Sequence, residues 1–244
     1  MPSVAMPLCR SMFPPAIQAR MALVVLALVF GNARAEPACS REIPVRGKCE
    51  IALEALRPTQ PAIGMIQVEE RASRMGRVID GAAYTSQWAV PAVQAPDGGF
   101  YLTDGHHLAS TLVRTGVEKI TVQVIHRFDD PASFWSEMQA RHWVYLFDPH
   151  GHPISPSALP VHIRDMADDP YRTLAGYAES AGFFKKTDAY FMEFQWARYF
   201  GERMGWQPID RMNLVAALQT AEQLACQPVA KSLPGYAGPC RNGK

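Results

Sequence analysis

The chain has 244 residues, 48% of them hydrophobic, with 24 Lys and Arg against 23 Asp and Glu. A formal charge of +1 argues against the broad positive field with which proteins hold long duplex DNA, and leaves room only for a local basic groove. The length suits one domain with a buried core and an extension.

Residues 1–35 read as a secretory signal peptide. Arg10 and Arg20 carry its charge, no acid precedes Glu36, and Met21 to Gly31 is an apolar run of 11 residues. Ala33-Arg34-Ala35 then offers small residues for cleavage after Ala35. The run is shorter than the roughly 20 residues of a membrane span; an uncleaved anchor is the alternative. Met6 and Met12 are alternative starts, and no lipid-attachment motif precedes Cys39. This layout predicts a periplasmic or secreted protein with no membrane attachment once cleaved. Cleavage removes Arg10, Arg20 and Arg34, leaving 209 residues with 21 basic and 23 acidic side chains, a net charge of −2.

Four cysteines then remain, Cys39, Cys49, Cys226 and Cys240. An even number in an exported chain suggests two disulfides, and three connectivities are open. None has the Cys-x-x-Cys spacing of a zinc or redox site.

Residues 36–48 are a polar lead-in. Cys49 to Leu56 alternates as a first strand, and Arg57-Pro58-Thr59-Gln60-Pro61 ends it. Ala62 to Arg77 has the apolar spacing of a short helix, with Gly76 and Asp80-Gly81 as stops. Ala89 to Gln94 is a strand, Pro96-Asp97-Gly98-Gly99 a tight turn, and Phe100 to Thr103 the returning strand. Asp104-Gly105-His106-His107 follows directly. Leu108 to Thr115 reads as a helix closed by Gly116, and Ile120 to Phe128 as a further strand. Strand, helix, hairpin, helix, strand implies a mixed α+β core over residues 36–130.

Residues 131–244 read as a helical extension packed on that core. Pro131 to Tyr145, Ala189 to Met204 and Asn213 to Ala225 are helical, the first two rich in aromatics. A further helix starts with Asp169 as N-cap and Pro170 in its first position. The aromatic stripe from Trp135 through Trp143, Tyr145, Phe147, Phe191, Phe194 and Trp196 to Phe200 reads as core rather than as a base-stacking platform.

The turn at Asp104 carries the sharpest chemistry. A strand delivers the chain to Gly105 and a helix begins after it, so free N–H groups there attract anions, phosphate above all. His106 and His107 are candidate acid–base groups, and Asp104 could orient one of them. Adjacent histidines point different ways, so one meets the ligand while the other packs or orients. Asp104 with His106 could also hold a divalent metal. The bland alternative is an aspartate cap with two partly exposed histidines. Thr59, Gln60 and Arg172 are further candidate phosphate contacts, against roles in a turn and a salt bridge. Glu193, among Phe191, Phe194 and Trp196, is a weaker candidate acid. His150 and His152, flanking a turn glycine, read as solvated turn residues, with metal binding the alternative.

Several motifs occur in a familiar order. They are Leu56-Arg-Pro-Thr-Gln60 with Gly64, Asp104-Gly-His-His107, Phe134-Trp135 and Tyr145-Leu-Phe-Asp148 with Gly151. Asp169-Pro-Tyr-Arg-Thr-Leu-Ala175 and Glu193-Phe-Gln-Trp-Ala197 with Phe200 complete the series. Over residues 47–205 the chain resembles the ParB-like nucleases, a distant branch of the ParB/sulfiredoxin fold. The resemblance implies a mixed sheet with a hairpin and flanking helices, plus a C-terminal helical layer. It also implies a phosphate-binding turn at Gly105 to His107. There ParB proteins carry Gly-Glu-Arg-Arg and sulfiredoxins Gly-Cys-His-Arg. This chain has no Arg after Gly105 and no Cys at the turn, which argues against ParB-type nucleotide clamping and sulfiredoxin chemistry. It also shows no helix-turn-helix with a basic face, and export argues against chromosome segregation.

The reading that follows is an exported phosphoester hydrolase, nuclease-like, acting on a phosphate-containing substrate such as nucleic acid. Its alternatives are a non-catalytic nucleotide- or phosphate-binding module and a small-metabolite kinase of the same fold.

Overall fold

The computed structural model describes residues 36–76, 81–86 and 89–240. The expected signal peptide, residues 1–35, and the stop at Asp80 lie outside the described residues.

The first strand is shorter than its alternation suggests. β1 is Lys48–Ala52; a 3-10 turn over Leu53–Ala55 then diverts the chain into β2, Leu56–Arg57. Leu53 and Leu56 are both buried, so the turn keeps the apolar series on the core side while changing strand partner. Ala62 does not open a helix. Ala62–Ile63 is a two-residue strand, β3, and helix α1 runs Met65–Met75 after Gly64. Gly81 opens α2, Gly81–Ser86, rather than ending an element. A Thr85 hydroxyl accepts the Thr121 N–H at 2.8 Å and ties that helix to the sheet.

β4, Val90–Gln94, and β5, Phe100–Leu102, form the expected hairpin. Gly98 takes φ +85°, and the Asp97 carboxylate accepts the Gly99 N–H at 2.8 Å. Helix α3, His106–Arg114, begins two residues earlier than its apolar pattern, so both histidines lie in its first turn. β6, Lys119–Arg127, is the longest strand and pairs with β1 antiparallel and β4 parallel. The five strands run β1-β6-β4-β5-β2, a mixed sheet with a register shift at Ala92/Val93.

One sheet face and α3 bury Leu56, Val90, Leu102, Leu112, Ile120 and Val122. The other face buries Val93, Phe128, Phe134, Met138 and Leu146. Within 131–145 only α4, Phe134–Ala140, is helical. His142, at φ +56°, turns the chain, and the Tyr145 N–H then bonds the Thr59 carbonyl at 2.8 Å.

β7, Ala167–Asp168, pairs in parallel with β3. α5, Pro170–Ser180, follows it, with the Asp169 carboxylate accepting the Arg172 N–H at 2.9 Å as expected of an N-cap. α6, Met192–Arg203, starts three residues later than the aromatic pattern because Phe191 sits at φ +55°. α7, Leu214–Ala225, completes a helical layer around Leu174, Trp196 and Phe200. Trp196 stacks on Phe184 at 4.3 Å.

Disulfides join Cys39 to Cys49 and Cys226 to Cys240, the two local pairings among the three connectivities. Among the described residues no helix is long and apolar enough to cross a membrane.

Candidate functional site

β5 ends at Leu102 and hands the chain to Gly105 at φ +85°. A Cβ there would stand 2.9 Å from Val90 Cγ1, so both the backbone angle and the space call for glycine. The exposed Asp104 carboxylate accepts the Gly105 N–H at 2.6 Å and closes the turn. Gly105 is the N-cap of α3 and no side chain caps the helix. Its first-turn N–H groups therefore have no intrahelical acceptor, and the positive end of the helix dipole lies at this turn.

His106 and His107 diverge. His106 is 6% exposed, and its Nε2 accepts the Thr59 N–H at 3.1 Å. That N–H requires a lone pair on Nε2, which the neutral ring protonated at Nδ1 supplies; the Thr59 hydroxyl, 3.2 Å from the same nitrogen, donates to the Leu102 carbonyl at 2.6 Å. Burial, then the neighbouring His107, lowers the His106 pKa to about 3. The His107 Nε2 is buried with no hydrogen-bond partner. Burial, followed by the charges of Arg172 and Arg71, lowers its pKa to about 3 as well.

The turn faces a cavity of about 500 Å³, lined among others by Gln60, Arg71, Asp104, Gly105, His106, His107, Arg172, Lys186 and Glu193. Thr59 stands behind it, against His106. Gln60 is turned by a bond from its amide to the Ala62 carbonyl at 3.2 Å.

Arg172 makes no salt bridge among the described residues, and neither does Arg71. The Arg172 Nε is buried without a partner, and its guanidinium lies 5.3 Å from the Phe194 ring centre. Burial lowers the Arg172 pKa, opposed by Glu193, Asp169 and Glu179. Lys186 does pair, with Glu193. Burial disfavours the ionised Glu193, but Arg172 and the bond from Lys186 outweigh it, and its pKa is lowered. Glu193 thus lines the cavity as a carboxylate. Asp169 beneath the site is pushed up to about 6 by burial, against the N–H bonds it accepts.

The aromatic stripe divides. Trp196 and Phe200 are fully buried, whereas Trp143, Phe191 and Phe194 line the cavity and Phe147 is 38% exposed. Tyr190 stacks on His142 at 4.1 Å at the same cavity. His142 and Phe191, both at positive φ, hold backbone conformations that cost energy and often gather at functional sites.

Arg71, His142, Lys186 and Tyr190 line the cavity without a signal in the sequence. Arg71 follows Glu69-Glu70 and looks like part of a solvated helix face; Lys185-Lys186 looks like surface charge. His150 and His152 lie elsewhere, His152 Nδ1 being 3.0 Å from the Asp148 carboxylate. Among the described residues no three His, Cys, Asp or Glu side chains are grouped to hold a metal. A metal on His106 Nε2 would have to displace the Thr59 N–H.

The family described as "Putative ParB-like nuclease" matches residues 49–202. The crystal structure of protein Atu1540 from Agrobacterium tumefaciens is 34% identical, with a TM-score of 0.68 over 78% of this chain and 98% of that chain. The C-terminally truncated chromosome-partitioning protein ParB from Caulobacter crescentus, complexed with CTP-gamma-S, is 16% identical over 75% of this chain and 96% of that one. Its TM-score of 0.26 carries no structural argument. No curated protein matches the chain.

Proposed function

Because the chain belongs to the ParB-like nuclease family, we propose that it is an exported phosphoester hydrolase whose phosphate sits at the start of α3. One observation carries this reading. Two arginines without ion-pair partners, Arg71 and Arg172, flank an unpartnered His107 nitrogen at an uncapped helix N-terminus. The Arg172 Nε, a buried donor without a hydrogen-bond partner, is costly to leave unpaired, and a bound anion accepting from it removes that cost.

In this proposal the first-turn N–H groups of α3, Arg71, Arg172 and Lys186 bind the phosphoryl oxygens, with Gln60 at the edge. His107, neutral in the free protein, takes a proton from the water whose oxygen bonds to phosphorus; the ester P–O bond breaks, and the leaving oxygen takes a proton from solvent or from the protonated His107. The phosphate's charge offsets Arg71 and Arg172 and so makes His107 more basic. His106, pinned to Thr59, and Asp104, closing the turn, position that ring. A divalent metal at Asp104 would add Lewis-acid chemistry, but the bond at His106 Nε2 gives no support for a ligand there.

The low pKa of His107 favours a second reading, a phosphate- or nucleotide-binding module without turnover. The test uses residues 36–244 with a chromogenic phosphodiester, single- and double-stranded DNA and RNA, with and without divalent metals. Turnover abolished by His107→Ala is the expected result; turnover indifferent to His106→Ala and His107→Ala would sink the assignment. Ligand-induced melting shifts without turnover would favour the binding module.

Two disulfides support an oxidising compartment, and hence export. N-terminal sequencing of the protein recovered from its native host should begin at Glu36; an intact N-terminus would overturn cleavage after Ala35.

A further inference from the structure

A second cavity of about 300 Å³ adjoins the first, and Arg71, His107 and Arg172 line both cavities. Arg74, Gln67, Glu179 and Ser180 line the second cavity and not the first.

The second cavity is also positive. Three guanidinium groups face it against one carboxylate, Glu179, whose pKa burial raises. The acid nearest Arg74 is Glu70, at 3.6 Å on the surface, with the Arg74 side chain 72% exposed. Buried polar atoms without partners mark the seam: the Arg172 Nε, the His107 Nε2 and the Gln67 Oε1. Gly176 makes room for the Gln67 amide, since a Cβ there would lie 2.3 Å from its Nε2. Of these the Arg172 Nε is a donor that an anion satisfies, whereas the Gln67 Oε1 is an acceptor and needs a donor such as a protonated phosphoryl oxygen; the two arginines common to both cavities can each be shared between anions.

We propose that the second cavity is a second anion site, so that the protein takes one ligand bearing two adjacent phosphoryl groups, one in each of the adjoining cavities that share Arg71, His107 and Arg172. The proposal rests on reading the first cavity as a phosphate site and adds what that reading lacks, the substrate's second charge. Arg74, the Gln67 amide and the Ser180 hydroxyl would hold the second group. Two sources share this chemistry: a small diphosphate, and two successive phosphodiesters of a single strand.

The test is calorimetric titration of the full oxidised chain with inorganic orthophosphate, inorganic pyrophosphate and a thymidine trinucleotide carrying two internucleotide phosphates. At least one two-phosphoryl probe should bind about tenfold or more tighter than orthophosphate, a ratio equal to about 1.4 kcal/mol. Arg74→Gln should abolish that gain and leave orthophosphate affinity within about twofold, because an exposed surface pair adds little to the fold. A gain confined to pyrophosphate identifies a diphosphate; one confined to the trinucleotide identifies a strand. Orthophosphate binding with no gain for either longer probe, or a gain indifferent to Arg74→Gln, overturns the second site alone. No orthophosphate binding at all overturns the first-cavity reading with it.

Discussion

The His106 ring is fastened to the backbone of Thr59: the Thr59 N–H points at His106 Nε2 from 3.1 Å, at the junction of β2 and the cavity. The next residue, His107, has its own Nε2 buried and unengaged. Two identical side chains, one peptide bond apart, are thus given different work.

His106→Ala should lower stability by about 2–4 kcal/mol, because it opens a cavity and strips the buried Thr59 N–H of its acceptor. His107→Ala should cost less, because it loses the packing of a partly buried ring but no hydrogen bond. Denaturant unfolding of the two variants measures the difference. Equal losses would contradict the division of roles.

The His107 ring should titrate differently with a phosphate beside it. In the free protein its pKa lies at about 3, held down by burial, Arg172 and Arg71. Saturating phosphate offsets both arginines and should raise the value, while burial still holds it below that of a free imidazole. The ring-proton shift of His107, followed by NMR with and without phosphate, reads this directly. A titration curve unmoved by phosphate would place the anion elsewhere.

Stability should fall steeply with acid. His106 and His107 titrate near 6.5 unfolded and at about 3 folded. A lowered folded pKa gives stability that is present above about pH 6.5 and lost as pH falls towards 3. Each ring contributes at most about 5 kcal/mol to that loss, a ceiling set by the linkage relation. Asp169 acts in the opposite sense: raised to about 6, it favours the fold below pH 4 and loses that contribution as pH rises through 6. The two rings outweigh the one carboxyl, so the urea midpoint should drop between pH 6.5 and 4. His106→Gln should flatten the profile.

Gly105→Ala and Gly98→Ala should separate strain from crowding. Both glycines sit at φ +85°, but only at Gly105 would a Cβ meet another atom, Val90 Cγ1 at 2.9 Å. Gly98→Ala should cost about 1 kcal/mol from the left-handed backbone alone. Gly105→Ala should cost about 1–2 kcal/mol more and weaken phosphate binding by shifting the start of α3. Thermal melting of the pair supplies the comparison.

Much of this was legible from residues that act locally. Asp97-Gly98-Gly99 announced a hairpin because positive φ is a property of glycine itself, and Asp169-Pro170 announced a helix start because capping needs only neighbours. The turn at Gly105 was legible for the same reason. The cationic half of the site was not. β3 and β7 have two residues each, too few for any periodicity, yet their pairing is what brings α1 and α5 together. His142 and Phe191 bend the chain at positive φ, and nothing about a histidine or a phenylalanine signals that in advance. The aromatic stretches therefore looked more helical than they are.

The two-residue pair of β3 and β7 also sets a boundary for anyone who would borrow this site. Arg71 stands eight residues after Ile63, Arg172 four after Asp168, and Ile63 is paired with Asp168. Bonds from the Ala167 N–H to the Pro61 carbonyl and from the Asp169 N–H to the Ile63 carbonyl hold that register. A fragment ending at the close of the sheet would keep both histidines and the glycine turn, and would look complete by its motifs. It would carry Arg71 and lack Arg172, the other arginine of the cavity wall, encoded about a hundred residues further on.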